Sequence, residues 1–248
     1  MGDRVAFVTG GTGGIGNAIC EKLHDDGFTV VAGYFSGGNH EKAQAWQAAQ
    51  KEKGREMDIQ YGDIGDFDSA KECVEAILAR HGKIDVLVNN GGITRDGFFK
   101  KMSLEKWQQV MSTNLDSTFN VTRNVFESML ENGYGRIINI SSINGMKGQA
   151  GQVNYSAAKA GMHGFTKALA QECANKGVTV NTVSPGYIGT DMVMAIKPEI
   201  LETIIAGVPM KRLGTPEEIG ACVAYLASEL AGYVTGANIA INGGQYML

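Results

Sequence analysis

Short apolar runs rich in Val and Ile recur along the chain and alternate with stretches whose apolar residues fall three and four positions apart. The first pattern indicates buried strands, and the second indicates amphipathic helices. Regular alternation of strand and helix is typical of a parallel sheet with helices on both faces. The strands are predicted at residues 4–9, 28–32, 57–61, 84–88, 135–142, 178–183 and 237–241.

Amphipathic stretches fill the intervals between these strands. They predict helices over 41–53 and 68–80, a long helix capped by Ser103, and another that opens at Asn154. Asn114 falls among apolar positions of the long helix, so we expect it to be partly buried. The inner stripe of that helix is predicted to be Leu104, Trp107, Met111, Leu115 and Phe119.

The segment 191–213 has a weaker amphipathic pattern that Pro198 and Pro209 interrupt. It follows the sixth predicted strand, and we interpret it as a mobile lid over a ligand site. Thr215 followed by Pro216 is typical of the start of another helix. The chain is therefore predicted to form a single α/β domain, residues 1–248, built on a doubly wound parallel sheet of about seven strands.

A glycine-rich loop joins the first strand to the first helix. Its glycines fit two spacings: G-x-G-x-x-G through Gly11, Gly13 and Gly16, and T-G-x-x-x-G-x-G through Gly10, Gly14 and Gly16. Between a strand and a helix, such a loop lets the backbone approach a pyrophosphate at the helix N-terminus. The loop therefore predicts a Rossmann-like dinucleotide site.

The residues after the second strand bear on which dinucleotide binds. An NAD site typically has Asp or Glu about 20 residues beyond the glycine loop. Here residues 33–40 contain no acidic side chain. Since an acidic residue would repel a 2′-phosphate, its absence favours NADP(H). The candidate phosphate contacts are Ser36, Asn39, His40 and Lys42.

Two further loops follow strands at the same edge of the sheet. Asp63 comes directly after the third strand, where it either accepts a hydrogen bond from an adenine amino group or caps the next helix. Asn89 and Asn90 follow the fourth strand and precede Gly91 and Gly92. We expect their side-chain amides to tie neighbouring strands together and the backbone there to line the nicotinamide ribose.

The fifth strand leads into the candidate catalytic residues. Ser142 lies at its carboxyl end, where open α/β sheets bind ligands, and Tyr155 and Lys159 share one face of the next helix. Each feature alone also fits an ordinary turn, cap or surface pair. Downstream of a dinucleotide loop, a hydroxyl, a phenol and an ammonium together indicate a proton-donating site. Asn114 either braces its helix or holds a water near Lys159.

Composition narrows the function further. The net charge is −4 with no basic block, which disfavours nucleic acid as a partner. The four cysteines are scattered and no Cys/His cluster is present, so we expect free thiols and no metal site. No apolar run reaches the roughly 18 residues of a membrane span. Because residues 1–4 lead into a strand rather than a signal peptide, we expect a cytoplasmic protein.

Taken together, the motifs resemble the short-chain dehydrogenase/reductase family over essentially the whole chain. The likeness rests on Thr9-Gly10-x-x-x-Gly14-x-Gly16, Asn89-Asn90-x-Gly92, Asn114, Ser142, Tyr155-x-x-x-Lys159 and Pro185-Gly186. Gly91 stands where the family usually has Ala, which should loosen that turn slightly. The resemblance implies that Asn114, Ser142, Tyr155 and Lys159 are catalytic. It also implies NADP(H) contacts from Gly10, Thr12, Gly13, Gly14, Ile15, Gly16, His40, Gly62, Asp63, Ile64, Asn90, Gly91, Gly92, Tyr155, Lys159, Pro185, Gly186, Tyr187 and Ile188.

Within the family, residues 93–96, 144–149 and 183–188 are similar to those of NADPH-dependent acetoacetyl-CoA reductases of polyhydroxybutyrate synthesis. This likeness implies reduction of acetoacetyl-CoA to (R)-3-hydroxybutyryl-CoA. The rival reading is a 3-oxoacyl-[acyl-carrier-protein] reductase, which docks an acidic carrier on basic residues. Here those positions are 129–132, Gln171 and Glu172, with Lys167 and Lys176 the nearest bases. Weak or like-charge contact slows docking, which favours the CoA thioester.

Contacts with the substrate are expected from loops around the candidate catalytic residues. Gln149 and Gln152 would bind the pantetheine arm, Tyr187 would wall the acyl pocket, and Asp96 and Lys197 would flank its entrance. The alternative for each is an ordinary solvated loop residue.

The resemblance also implies a homotetramer, with the two long helices and the last strand at its interfaces. A catalytically silent nucleotide-binding regulator on the same fold is the alternative from another class of function. The intact set of Ser142, Tyr155 and Lys159 argues against it.

Overall fold

The computed structural model describes residues 4–247, apart from the side chains of Ser36 and Met192. Over this range every strand pairing in the sheet is parallel. Each strand lies within two residues of its predicted bounds. The strands are β1 (Val5–Val8), β2 (Thr29–Tyr34), β3 (Asp58–Tyr61), β4 (Val86–Asn89), β5 (Gly135–Ile140), β6 (Val178–Pro185) and β7 (Asn238–Ile241).

These strands form one seven-stranded sheet within residues 4–247, in the order β3-β2-β1-β4-β5-β6-β7. The order reverses direction between β1 and β4, and ligands of open α/β sheets bind outside the strand ends at such a point. The loop after β1 is the glycine-rich loop, and the loop after β4 contains Asn90. The predicted doubly wound sheet is therefore confirmed, with its crevice between the two loops singled out from the sequence.

Helices lie on both faces of the sheet and bury two apolar clusters. Ile19 of α1 and Ile219 of α10 lie in one cluster, while Ile77 of α3 and Val125 of α5 lie in the other. The helices are α1 (Gly14–Asp25), α2 (His40–Glu52), α3 (Phe67–His81), α4 (Leu104–Met111), α5 (Ser117–Asn132), α6 (Ile143–Lys147), α7 (Val153–Cys173), α8 (Asp191–Met194), α9 (Pro198–Ala206) and α10 (Pro216–Ala227).

The long helix that begins after Ser103 is interrupted by a π-helical turn, Ser112–Asp116, between α4 and α5. Ser103 caps it as predicted, with its Oγ accepting from the Lys106 N–H. The predicted inner stripe is wrong at both ends, because Leu104 is 70% and Phe119 51% exposed. The wide turn adds a residue to the helical repeat and rotates the face. The buried residues of α4, this turn and α5 include Val110, Asn114, Thr118, Val121, Val125 and Met129.

The segment predicted to be a lid contains two short helices, α8 and α9. Pro198 is the first residue of α9 rather than an interruption, since a proline at that position forfeits no helical hydrogen bond. α10 follows with a full capping box between Thr215 and Glu218. Among residues 4–247, no helix combines the length and apolarity needed to cross a membrane.

Candidate active site

Thr9 and Asn90 join the two loops at the reversal point of the sheet. Thr9 Oγ1 accepts from the backbone N–H groups of Asn90 (3.0 Å) and Gly91 (2.9 Å). Asn90 Nδ2 donates back to the carbonyl oxygens of Thr9 (3.0 Å) and Gly10 (3.2 Å). The expectation that side-chain amides tie these strands together is thus met. The crevice between β1 and β4 is held by cross-strand hydrogen bonds rather than by loop packing alone.

The glycine-rich loop has the shape of a phosphate cradle. Gly14 adopts a φ of +52°, which favours glycine, while Gly13 has extended backbone and open space where a Cβ would stand. A Cβ on Gly16 would lie 2.2 Å from the Gly10 carbonyl oxygen. The T-G-x-x-x-G-x-G spacing therefore describes the loop better. No side chain caps the N-terminus of α1, so its N–H groups are available to an anion.

A Gly16→Ala substitution is expected to weaken dinucleotide binding at least about tenfold, because the loop must move to relieve a backbone clash and its N–H groups then miss the phosphates. Gly164→Ala is the matched control, since a Cβ there meets nothing within 4 Å. Fluorescence titration with NADPH and NADH checks the result. Unchanged affinity in Gly16→Ala would show that the close approach in this loop does not support binding.

Three adjoining cavities form one cleft along the carboxyl edge of the sheet. The largest, about 630 Å³, lies over β1–β4, and a second of about 490 Å³ shares Gly10, Gly91 and Gly92 with it. The second contains Tyr155 and Lys159 and shares Ser142 and Tyr155 with a third, of about 240 Å³. A dinucleotide lying along the first two would present its nicotinamide end to the third.

The large cavity has the features expected of an adenosine site. Gly62, Asp63 and Ile64 line it, as predicted for cofactor contacts. Asp63 Oδ1 accepts from the Gly65 N–H (2.9 Å), while Asp66 caps α3, so Asp63 does not cap that helix. The prediction that Gly91 loosens its turn is wrong, because Ile64 Cδ1 occupies the place that a methyl group on residue 91 would take and no empty space is left.

The candidate phosphate contacts that follow β2 differ in their hydrogen-bond partners and in their position relative to the cleft. His40 Nδ1 is hydrogen-bonded to the Tyr34 hydroxyl (2.8 Å), and Lys42 lines the second cavity beside the glycine-rich loop. Asn39 caps α2 through Oδ1, which accepts from the Lys42 N–H (3.0 Å). The side chain of Ser36, the fourth candidate, lies outside the described residues.

Ser142 is held as a hydrogen-bond donor toward the cleft. It lies two residues after the end of β5, is 8% exposed, and caps the short helix α6. Its Oγ accepts from the Asn144 N–H at 3.1 Å. Because one lone pair is taken by a backbone donor, the hydroxyl proton is directed toward the cavities that Ser142 lines together with Tyr155.

Tyr155 and Lys159 lie together in the second cavity, with Lys159 Nζ 5.7 Å from the centroid of the Tyr155 ring. Burial raises the pKa of Tyr155, and a hydrogen bond with Ser142 opposes that rise. A neighbouring ammonium is expected to lower the pKa of a phenol, but burial outweighs that effect here and the pKa of Tyr155 is raised. Lys159 is buried and donates to the Ile140 carbonyl (2.7 Å), and burial lowers its own pKa to about 8.

Asn114 is fully buried in the π-helical turn and clamps the loop after β4. Its Oδ1 accepts from the Ile93 N–H (2.8 Å) and its Nδ2 donates to the Ile93 carbonyl (2.9 Å). A Cβ on Gly92 would lie 3.3 Å from Asn114 Oδ1 and 3.5 Å from Lys159 Nζ, so both side chains flank the same glycine. Asn114 therefore braces the loop after β4, whereas a water near Lys159 stays a prediction.

The third cavity contains some of the predicted substrate contacts. Gln152 and Tyr187 line it with Ser142 and Tyr155. Asp96 lies at its margin, where its carboxylate accepts from Gln152 Nε2 (2.9 Å).

Two other predicted substrate contacts lie apart from these cavity walls. Gln149 is hydrogen-bonded to Lys147 (2.9 Å) on the loop before α7. Lys197 is exposed at the start of α9 and does not line the cavities described above.

The remaining predicted cofactor contacts are distributed over the three cavities. Thr12 lines the large cavity, and Ile15, Pro185 and Gly186 line the second. Ile188 is buried beside Tyr187 and lines the third.

Sequence reasoning missed one residue that positions α7, the helix that carries Tyr155 and Lys159. Asn154 is buried, and its Nδ2 donates to the carbonyls of Arg95 (3.1 Å) and Lys106 (3.2 Å). Its Oδ1 accepts from the Tyr155 N–H (2.9 Å), which fixes the first turn of α7 against the cleft. The available signal was a carboxamide next to Tyr155 at a helix start, because a buried Asn requires partners.

The chain is similar to known proteins over essentially its whole length. The model of the short chain dehydrogenase family matches residues 4–200. The chain is 58% identical to Nodulation protein G of Azospirillum brasilense over 98% of both chains. It is 54% identical to the acetoacetyl-CoA reductase of Cupriavidus necator over 100% of both chains. It is 44% identical to the 3-oxoacyl-[acyl-carrier-protein] reductase of Vibrio cholerae over 99% of this chain and 98% of the relative.

Proposed function

Because the chain belongs to the short-chain dehydrogenase family and is an oxidoreductase, we propose that it reduces acetoacetyl-CoA to (R)-3-hydroxybutyryl-CoA with NADPH, as in polyhydroxybutyrate synthesis. The observation that carries the proposal is the 54% identity, over the whole chain, to the Cupriavidus necator acetoacetyl-CoA reductase. The cleft supports it, since it brings Ser142 and Tyr155 to one cavity beside a dinucleotide-shaped groove.

Ketone reduction requires a hydride at carbon and a proton at oxygen. NADPH, when bound, supplies the hydride, and the protein must orient and polarise the carbonyl. Ser142, whose Oγ accepts from the Asn144 N–H, donates its own proton to the ketone oxygen and stabilises the negative charge that develops there. Tyr155 donates the proton. Its raised pKa keeps the phenol protonated at neutral pH, which is the form that reduction needs.

Lys159 and Asn114 support this pair. Lys159 Nζ lies in the groove beside Tyr155, where it holds the ribose hydroxyls of the nicotinamide nucleotide and supplies positive charge for the phenol. Asn114 keeps the loop over Lys159 in place through its two hydrogen bonds to Ile93, and orders a water that links Lys159 to solvent for reprotonation.

Preference for NADPH is supported by the end of β2. No carboxylate stands where an NAD site has one, and the N-terminus of α2 carries His40 and Lys42. His40 is fixed by the Tyr34 hydroxyl, and the Lys42 side chain borders the groove. A 2′-phosphate between them gains charge-assisted hydrogen bonds.

The CoA thioester is favoured over a carrier-protein thioester by surface charge. Met129, at the first of the positions where a carrier would dock, is buried in the core, and Glu131 and Glu172 are exposed. An acidic carrier would meet like charge there, which slows association. For the CoA thioester, Gln149 would bind the pantetheine arm, Tyr187 would wall the acyl pocket, and Asp96 and Lys197 would flank its entrance, with Lys197 near a phosphate.

A homotetramer in the cytoplasm completes the proposal. The exposed stripe on α4 and α5 supports it, because Leu104 and Phe119 present large apolar side chains and Phe119 stacks on Phe67 with ring centroids 6.1 Å apart. A second copy covering this stripe would remove that surface from water.

The proposal predicts that purified protein consumes NADPH when acetoacetyl-CoA is added, and does so faster than it consumes NADH. Absorbance of the reduced nicotinamide follows the rate, and chiral chromatography identifies the (R) alcohol. The same assay with an acetoacetyl-carrier protein should run more slowly. Faster turnover of the carrier thioester would assign the chain to the carrier-protein reaction, and no turnover of either thioester would favour the nucleotide-binding regulator.

A further inference from the structure

Hydrogen bonds connect the exposed mouth of the third cavity to the buried Ser142. The Asp96 carboxylate accepts from Gln152 Nε2 (2.9 Å), and Gln152 Oε1 accepts from Asn144 Nδ2 (2.9 Å). The backbone N–H of Asn144 donates to Ser142 Oγ (3.1 Å). The chain of contacts therefore runs from the loop after β4, across the start of α7, to the end of β5.

The Asp96 carboxylate determines which atom donates and which accepts in each side-chain hydrogen bond of this chain of contacts. An ionised Asp accepts hydrogen bonds and cannot donate, so the amide of Gln152 must turn its NH₂ toward Asp96. Its carbonyl then faces Asn144, which must present its own NH₂. Asn144 Oδ1 is left buried and without a hydrogen-bond partner among residues 4–247. Such an orphan acceptor is costly, and here it is the consequence of the direction that Asp96 imposes.

We propose that Asp96, Gln152 and Asn144 form a positioning relay that holds the α6 turn so that the Ser142 hydroxyl points at the substrate ketone. The relay acts through Ser142 and needs no contact with the substrate. α6 spans five residues, so its own hydrogen bonds fix it weakly, and Gln152 supplies a tie from outside. This inference rests on the proposed ketone reduction but not on the identity of the thioester.

The relay makes a different prediction from direct binding of the pantetheine arm by Gln152 and Asp96. If these residues bind the arm, their loss raises KM for acetoacetyl-CoA and leaves a ketone without an arm unaffected. If they position Ser142, their loss lowers kcat for both substrates, because a small displacement of a catalytic group is enough to slow the chemical step.

Gln152→Leu tests this distinction with acetoacetyl-CoA and ethyl acetoacetate as paired substrates. We expect kcat to fall about tenfold or more with both, with KM within about twofold of the parent. Gln171→Leu is the matched control, since Gln171 is exposed at the far end of α7. A rise in KM for acetoacetyl-CoA alone would overturn the relay. A parent protein that reduces only ethyl acetoacetate refutes the proposed substrate and leaves the relay measurable, whereas one that reduces neither ketone overturns both.

Reversal of the relay provides a second test that does not depend on the Leu variant folding. Asn144→Asp places carboxylates at both ends of Gln152, which has one NH₂ to give, so kcat should fall. Adding Asp96→Asn lets Gln152 donate to the new carboxylate and accept from the new amide. We expect the double variant to recover about tenfold in kcat over Asn144→Asp. If the fold-changes in kcat of the two single substitutions simply multiply in the double variant, the relay is overturned.

Discussion

Replacing Tyr155 with phenylalanine is expected to lower ketone-reducing turnover by about 10²–10⁴-fold while dinucleotide affinity changes by less than about twofold. The expected loss is that of a general acid. The substitution removes one oxygen and leaves the ring, which packs in the cleft near Lys159. Binding is retained because the glycine-rich loop and Lys159 remain.

The geometry gives Tyr155 this role because its phenol shares a cavity with Ser142 and is protonated at neutral pH. Burial raises the pKa of Tyr155, so the reductive direction finds the proton in place. In the oxidative direction the phenolate is required, and the rate should increase with pH. A wild-type pH profile that rises for oxidation and falls for reduction at alkaline pH would agree with this assignment.

Tyr233→Phe is the matched control, since Tyr233 is fully exposed and lies outside the three cavities. Steady-state kinetics with acetoacetyl-CoA and NADPH titration should be run on both variants and the parent. Near-normal turnover by Tyr155→Phe would remove Tyr155 from the role of proton donor, and Ser142 would then be the remaining hydroxyl at the site.

Much of this site could be predicted because its parts are local in the sequence. A strand followed by a glycine loop and a helix specifies the dinucleotide cradle, and Tyr155 and Lys159 share a face through helical spacing alone. Parallel strands also have their carboxyl ends at one edge, so Ser142 and Asn90 were expected there. These inferences needed no knowledge of distant contacts.

The errors arose where one extra residue or a distant partner decides the outcome. The π-helical turn around Asn114 shifts the helical repeat, which exposes Leu104 and Phe119 despite their regular spacing. The direction of the shift in the Tyr155 pKa is set by burial, to which residues far away in the chain contribute. Neither effect leaves a signal in residue spacing.

Replacing Lys159 with methionine is expected to lower turnover by about 10²–10³-fold, since positive charge beside the proton donor is lost. The pH profile of turnover by the wild-type protein should show the same dependence on the positive charge of Lys159. Burial lowers the pKa of Lys159 to about 8, so the ammonium is present below pH 8 and is lost above it. Reduction by the parent should therefore decline above about pH 8. Lys167→Met, at an exposed position two turns further along α7, should retain the parent rate.

The same substitution is expected to stabilise the fold at pH 7, because the buried ammonium is costly there. The difference between a pKa of 10.5 and about 8 corresponds to about 3 kcal/mol, from which about 1 kcal/mol is lost with the hydrogen bond to Ile140. A domain of this size should gain roughly 2–8 °C in Tm.

The sign of the pH dependence follows from the depressed pKa. Between pH 8 and 10.5 the unfolded chain holds a proton at Lys159 that the folded chain has released, so stability of the parent rises with pH relative to the variant. The advantage of Lys159→Met should therefore shrink as pH increases through 8. Thermal unfolding of the parent, Lys159→Met and Lys167→Met across that range measures it. If the difference in Tm between Lys159→Met and the parent stays constant with pH, or if Lys159→Met is less stable than the parent, the interactions of the Lys159 ammonium in the fold offset the cost of burying it.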